Sequence, residues 1–206
     1  MNDKIVILDY QMGNIFSIEK ILKSLGKTPI VSNKREIILS ADKIILPGVG
    51  HFSNAMKNLK KMNLIEPLNF FALEKKKPIL GICLGMQLMA SSSEEGSSSG
   101  LGWVDASVKK FKTSDSQKFK IPHMGWNTIN LAKKSPLMNN IASNEEFYFV
   151  HSFYMHPNDT DLILTETNYI EQFCSGIEHE NIFGVQYHPE KSHDSGRTLL
   201  KNFISL

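Results

Sequence analysis

Cysteine is scarce in this chain: Cys83 and Cys174 are the only two among 206 residues. Two are too few for a disulfide framework, which excludes the small stapled secreted folds and makes a reducing cytoplasm the expected compartment. Long apolar runs are also missing, and none approaches the roughly 20 residues that a membrane-spanning helix needs. The opening Met1-Asn2-Asp3-Lys4 leads straight into Ile5-Val6-Ile7-Leu8, without the pattern of a signal peptide. No sign of charge dominates: 23 Lys and Arg face 21 Asp and Glu, a formal net charge of +2. That balance gives no reason to expect a nucleic acid or an anionic membrane as partner. The lysines at 57, 60 and 61 and at 75–77 read as solvated helix faces and loop ends. There is no internal repeat, and no His, Cys, Asp or Glu grouping has the spacing of a zinc site. What remains is an ordinary globular composition, 41% hydrophobic and 21% charged, sized for a single domain over residues 1–206 with a substantial core.

The first half alternates short apolar runs with helical segments. Lys4 to Leu8, Pro29 to Val31, Lys43 to Leu46 and Pro78 to Ile82 predict strands. Ile15 to Leu25 predicts a helix with an apolar stripe at Ile18, Ile21, Leu22 and Leu25, ended by Gly26. A second helical stretch runs from Phe52 to Lys75. This alternation predicts a three-layer α/β fold with a mostly parallel central sheet between helices. Ligands then bind beyond the carboxyl ends of the strands. The serine-rich stretch Ser91 to Gly100 reads as a mobile surface loop. Beyond it the signals change to a mainly antiparallel region: Val108–Phe111, Thr128–Leu131, Glu146–Val150, Leu162–Thr165, and a hairpin around Glu178 to Asn181. A helix over about Gly196 to Phe203 closes the chain.

Cys83 sits in Gly81-Ile82-Cys83-Leu84-Gly85, between the strand ending at Ile82 and the helical stretch Met86 to Ala90. Glycines two positions to either side of a nucleophile-type residue, at a strand-to-helix junction, form a nucleophile elbow, a turn so tight that larger flanking side chains do not fit. The following helix directs N–H groups at the sulfur and favours the thiolate. Alone, the motif is equally a buried cysteine beside two packing glycines. Cys174, in Phe173-Cys174-Ser175-Gly176-Ile177, reads as a packing residue.

Near the C-terminus, Ile182 to Val185 predicts a strand running toward His188-Pro189-Glu190. Alternation along an extended segment puts His188 and Glu190 on one side. A histidine oriented by a carboxylate is the base a cysteine nucleophile needs. Alone, this segment is a His-Pro-Glu turn; together with the elbow it supplies a nucleophile, a base and an orienting acid. The acid follows the histidine, unlike the order found in α/β-hydrolases.

That order and spacing resemble the class I (triad) glutamine amidotransferases. The resemblance spans almost the whole chain, through Asp9 to Asn14, Pro47 to Phe52, Gly81 to Leu88, Pro122 to Asn127, Phe147 to Ser152 and Gly184 to Ser192. It implies a flavodoxin-like three-layer fold and hydrolysis of L-glutamine through a thioester on Cys83, with His188 and Glu190 completing the triad and no metal or organic cofactor. It further implies an oxyanion hole of backbone N–H groups, from Leu84 after the nucleophile and conditionally from Val49 or Gly50. Gln87, at i+4 from Cys83, matches the residue that holds glutamine, and His151, Ser152 and Phe153 match a segment whose backbone contacts its amino-acid end. Asn14, His123 and Lys191 match positions near the partner surface and ammonia exit.

Within the family the motifs resemble most the branch that forms a heterodimer with a barrel-shaped cyclase (synthase) subunit in histidine biosynthesis. Lys191-Ser192-His193-Asp194 also resembles a branch serving a cyclase-like partner in surface-polysaccharide sugar biosynthesis. A stand-alone cysteine hydrolase or γ-glutamyl peptidase, and a non-catalytic binding module, are the further alternatives. Two positions depart from the family pattern. Gln11 replaces a common glycine, and Ile170 replaces the glycine usual after Asn168-Tyr169.

Overall fold

The apolar runs of the first half form strands because both of their faces are covered, which is what near-continuous Val, Ile and Leu signify. A computed structural model of the chain describes residues 3–115 and 117–206. Ile5–Leu8 (β1), Ile30–Ser32 (β2), Lys43–Leu46 (β3) and Ile79–Ile82 (β4) lie parallel in the order β2-β1-β3-β4. Between them run α1 (Ile15–Ser24), α2 (Arg35–Leu39), α3 (Phe52–Lys61) and α4 (Ile65–Asn69). Gly26, at φ +76, closes α1 as expected. The single helical stretch expected over 52–75 is instead broken. Asn63 takes a left-handed backbone at φ 54, and Phe70–Glu74 continues α4 as a π-helical turn.

After β4 come α5 (Leu84–Gln87), β5 (Ser92–Ser93), β6 (Ser98–Ser99), β7 (Ala106–Lys110), β8 (His123–Leu131), β9 (Glu145–His151) and β10 (Phe153–Pro157). Then follow β11 (Ile163–Asn168), β12 (Gln172–His179), β13 (Ile182–Val185) and the C-terminal α6 (His193–Ser205). The sheet continues from β4 as β13-β12-β10-β7-β5-β6, with β11 joining β12 to β8 and β8 paired to β9. β13 is parallel to β4, whereas its pairing with β12 and most pairings beyond are antiparallel.

The sheet separates two cores. Val6 and Leu8 of β1 pack with Ile38, Phe52, Leu59 and Leu68 of α2, α3 and α4. Ile5 and Ile7 point the other way, toward Ile18 and Leu22 of α1 and Leu199, Leu200 and Phe203 of α6. Each such buried aliphatic or aromatic side chain contributes about 1.5–3 kcal/mol. The result is the expected three-layer arrangement with its antiparallel extension.

Ser91 to Gly100 is not the loop expected. β5 and β6 form a hairpin whose first strand runs parallel to β7. The Gly100 N–H donates to the Ser91 carbonyl, and a Cβ on Gly100 would stand 2.1 Å from the Ala90 carbonyl oxygen. Serine composition suggested solvent, but backbone pairing and this close approach hold the segment against the sheet. Among the described residues no helix is long and apolar enough to cross a membrane.

Candidate active site

The pairing of β4 with β13 brings the distant segments together. Gly81 lies opposite Gly184 and Ile82 opposite Val185. One residue on, the Cys83 N–H donates to the Val185 carbonyl at 2.8 Å. Gln186-Tyr187-His188 therefore emerges from the sheet edge beside Cys83.

The elbow has the strained geometry its glycines predict. Cys83 takes φ 53 and ψ −111, a backbone state non-glycine residues rarely adopt. A Cβ on Gly81 would stand 2.6 Å from the Met86 nitrogen, and one on Gly85 only 1.9 Å from the Leu46 carbonyl oxygen. Side chains are excluded at both flanks by backbone, which cannot move aside. The helix that follows is shorter than expected: α5 spans Leu84–Gln87 and gives way to turns. So short a helix carries little macrodipole, and the main charged partner of the sulfur is a side chain instead.

That partner is His188, which is buried. Its Nδ1 lies 2.7 Å from Glu190 Oε1, which fixes the proton on Nδ1 when the ring is neutral and leaves Nε2 for the sulfur. Burial alone lowers the pKa of the ring. The Cys83 sulfur, followed by Glu190, outweighs that cost and raises it to about 10. His188 and Glu190 meet by a route other than the alternation inferred from sequence. β13 ends at Val185, and Pro189–Lys191 forms a 3-10 turn that His188 begins. The Ser192 hydroxyl donates to the His188 carbonyl at 2.6 Å, and the His188 N–H donates to the Tyr148 carbonyl at 2.9 Å, pinning the turn.

Cys83, Leu84, Gln87 and His188 line a cavity of about 320 Å³ with Val49, Gly50, Glu95, Pro122 and Val150 to Phe153, near the lower end of small-molecule sites. It thus gathers the predicted nucleophile, base, oxyanion segments, Gln87, His151, Ser152 and Phe153. A more open cleft of about 660 Å³ elsewhere, between Arg35 and Glu66 of α2 and α4, holds no nucleophile. The Pro47-to-Gly50 loop packs directly on the elbow. A Cβ on Gly48 would stand 2.7 Å from both the Gly85 nitrogen and the Tyr10 hydroxyl, and Gly50 takes φ +106.

His151 and His123 are both buried and form a chain. His151 Nδ1 lies 2.8 Å from the Phe153 carbonyl and Nε2 lies 2.9 Å from His123 Nδ1, whose Nε2 is 3.2 Å from Asn127 Nδ2. Since the carbonyl only accepts, every proton in the chain is assigned. His151 donates through Nδ1, His123 donates to His151, and Asn127 donates to His123. Burial holds both rings neutral, lowering His123 to about 4 and, with His123 and His188 adding to the effect, His151 to about 3. His123 also lies between the rings of Tyr169 and Phe149, at 4.0 and 4.8 Å. His123, expected near the partner surface and ammonia exit, is not itself a surface residue: β8 turns it inward, opposite His151. Asn14, half-buried at the start of α1, and Lys191, exposed over the Tyr148 ring at 5.4 Å, lie outside the cavity. Gln11 keeps the left-handed backbone expected of glycine, at φ 65, with its N–H bonded to Asp9.

Three residues of the site gave no usable signal in the sequence. Gln186 Nε2 lies 3.5 Å from Cys83 Sγ. The Tyr10 hydroxyl donates to the Pro47 carbonyl at 2.6 Å, behind the oxyanion loop. Glu95, from the serine-rich hairpin, enters the cavity wall while accepting the Phe52 N–H at 2.7 Å. Only the alternation of β13 and its pairing with β4 would have pointed to Gln186. Among the described residues no group of three or more His, Cys, Asp and Glu is arranged to hold a metal ion.

The family profile of glutamine amidotransferase class-I matches residues 6–206. Imidazole glycerol phosphate synthase subunit HisH 2 of Methanococcus maripaludis is 49% identical over 200 residues, covering 97% of this chain and 98% of that protein. The subunit HisH 2 of Pseudomonas aeruginosa is 44% identical over 202 residues, covering 98% of this chain and 99% of its own. The structure of PurLQS from Thermotoga maritima superposes with a TM-score of 0.74 at 18% identity, covering 100% of this chain and 99% of that one, and so shares its fold. With a profile match over nearly its whole length, the chain belongs to the class-I glutamine amidotransferase family.

Proposed function

We propose that this chain, acting as one domain, is the glutaminase subunit of an imidazole glycerol phosphate synthase. In that role it hydrolyses L-glutamine and passes the ammonia to a cyclase subunit that makes imidazole glycerol phosphate and AICAR in histidine biosynthesis. One observation carries the reading: a strained elbow cysteine faces a buried histidine whose other nitrogen is bonded to a buried carboxylate. The names of the M. maripaludis and P. aeruginosa relatives support the pathway.

The Cys83 sulfur attacks the side-chain carbonyl of glutamine while His188 holds the proton it has taken from the thiol. The oxyanion is met by the Leu84 N–H and, when the loop presents it, by the N–H of Val49 or Gly50. Collapse of the intermediate breaks the C–N bond. His188 protonates the leaving nitrogen, ammonia departs, and a γ-glutamyl thioester remains on Cys83. His188 then deprotonates a water that attacks the thioester, releasing glutamate and restoring the thiol. Glu190 holds the imidazolium through both steps.

The remaining cavity groups select the substrate. Gln87 Nε2 is bonded to the Phe153 carbonyl and to Gln186 Oε1, both at 2.9 Å, so only its oxygen is left to accept an N–H of glutamine. Among the described residues lining the cavity, Glu95 is the carboxylate, suited to the α-ammonium end, with the backbone of His151, Ser152 and Phe153 beside it. Exposed Phe16, Met124 and Trp126 flank the region of Asn14 and Lys191. Trp126 stacks on His193 at 5.0 Å, and α1 packs against the Pro189–Lys191 turn. An apolar patch of this kind suits a protein partner, and enclosed transfer keeps ammonia from being protonated in bulk water.

The test is glutamate release by the pure chain, with and without a candidate cyclase and its nucleotide substrate. Strong stimulation by the histidine-pathway nucleotide supports the reading. Full activity without any partner favours a stand-alone hydrolase, and stimulation only by a sugar-pathway partner transfers the same chemistry to that branch. No turnover under any condition contradicts it.

A further inference from the structure

We infer that Gln186 is a positioning residue for the nucleophile: its side-chain amide keeps an N–H on the Cys83 sulfur and is locked in that orientation by Gln87. A glutamine amide can be turned over at little cost unless its partners forbid it. Here they do. The Phe153 carbonyl can only accept, so Gln87 must present Nε2 to it at 2.9 Å. The same Nε2 has a second N–H, which reaches the Gln186 side chain at 2.9 Å and requires an acceptor there. Gln186 must therefore turn Oε1 to Gln87 and its NH₂ to the sulfur, 3.5 Å away. The Gln186 N–H donates to the Ser175 carbonyl at 2.9 Å, fixing the residue from below.

Gln186 is fully buried, so no solvent competes for these bonds. The amide is hydrogen-bonded to the sulfur, and His188 interacts with that sulfur electrostatically, while the Tyr10 hydroxyl is held on the Pro47 carbonyl. His188 supplies charge, and Gln186 supplies a fixed neutral donor that stabilises the sulfur when it is negative and sets its direction. The inference builds on the reading of Cys83 as the glutamine-attacking group, although the hydrogen-bond argument does not depend on it.

The experiment compares the full chain with Q186E and Q186M. Alkylation of Cys83 by iodoacetamide is followed by mass spectrometry from about pH 5 to 10, alongside kcat and KM for glutamine with the partner present. Q186E keeps the acceptor for Gln87 but turns a carboxylate to the sulfur. Its alkylation midpoint should rise by about one unit or more, and kcat should fall about tenfold with KM changed less than about threefold. Q186M removes both bonds and should raise the midpoint by a smaller amount, about half a unit. A Q186E midpoint equal to the wild type, or a larger effect in Q186M than in Q186E, would make Gln186 a scaffold for Gln87 only and overturn the inference. Should Q186M fail to fold, Q186E against the wild type decides alone. A wild-type chain that is alkylated normally at Cys83 yet never consumes glutamine would instead defeat the functional reading.

Discussion

A buried histidine–carboxylate pair and a buried histidine–histidine pair meet at one cavity, where His188 and His151 line the wall, and the protein drives their rings in opposite directions. His188, bonded to Glu190 and facing Cys83, is raised to about 10. His151 and His123, bonded to each other and to neutral groups, are lowered to about 3 and about 4. Burial is common to both pairs and by itself favours the neutral ring. The difference lies in the partners: a thiol and a carboxylate on one side, a backbone carbonyl, an asparagine amide and aromatic rings on the other. In the proposed mechanism the first pair carries a proton, whereas the second ties the Phe153 carbonyl to the β8–β9 strands.

The largest disturbance to this contrast is Cys83→Ala, which removes both the proposed nucleophile and the strongest influence raising His188. Glutamine hydrolysis should fall by 10³-fold or more, on the order expected for losing a catalytic nucleophile. Synthesis by the complex from added ammonium salts should survive, and the His188 ring resonance should titrate well below its wild-type value. Survival of glutamine turnover in this variant would remove Cys83 from the mechanism.

Glu190→Gln keeps the shape and removes the charge. We expect kcat to drop by on the order of 10²- to 10⁴-fold with little change in KM, because the amide neither stabilises the imidazolium nor enforces the Nδ1–H tautomer. A loss smaller than tenfold in steady-state kinetics would show that Glu190 is a bystander.

His123→Phe probes the neutral pair. The ring can keep its place between Tyr169 and Phe149, but His151 Nε2 and Asn127 lose their partner, at a cost of about 1–3 kcal/mol in chemical denaturation. Activity with the partner should change by less than about tenfold. A loss as severe as that of Glu190→Gln would give the neutral chain a chemical role that this account denies it.

The two pairs also predict opposite responses of stability to pH. His151 and His123 are neutral in the fold and take up protons at pH 6.5 when unfolded. Stability should therefore decline as pH falls from about 6.5 toward 4, by up to about 1.4 kcal/mol per unit for each ring. His188 works the other way: its contribution is complete below about 6.5 and is lost as pH rises through about 10. Denaturation midpoints across this range should show His123→Phe flattening the acid limb alone.

The fold was largely legible because its strands are buried on both faces and its helices carry apolar stripes, which are local patterns. The elbow was legible for a similar reason, since the clashes at Gly81 and Gly85 are written into two glycines. Pairing between distant strands is not local. No pattern in the residues showed β13 lying parallel beside β4, and so Gln186 was invisible beside Cys83. The serine-rich hairpin was misread because its order comes from backbone bonds and not from side-chain type. The direction of His123 was not legible because one motif carries both an inward histidine and the outward Met124 and Trp126, separated only by strand alternation.

The central claim is tested most directly by mass spectrometry of the chain after exposure to a diazo-ketone analogue of glutamine, with the partner present. Cys174 serves as an internal control, since burial pushes its thiol up to about 12. A single adduct on the Cys83 peptide, blocked by excess glutamine and absent from Cys174, is the predicted result. An adduct on Cys174, or continued glutamine turnover with Cys83 unmodified, would contradict it.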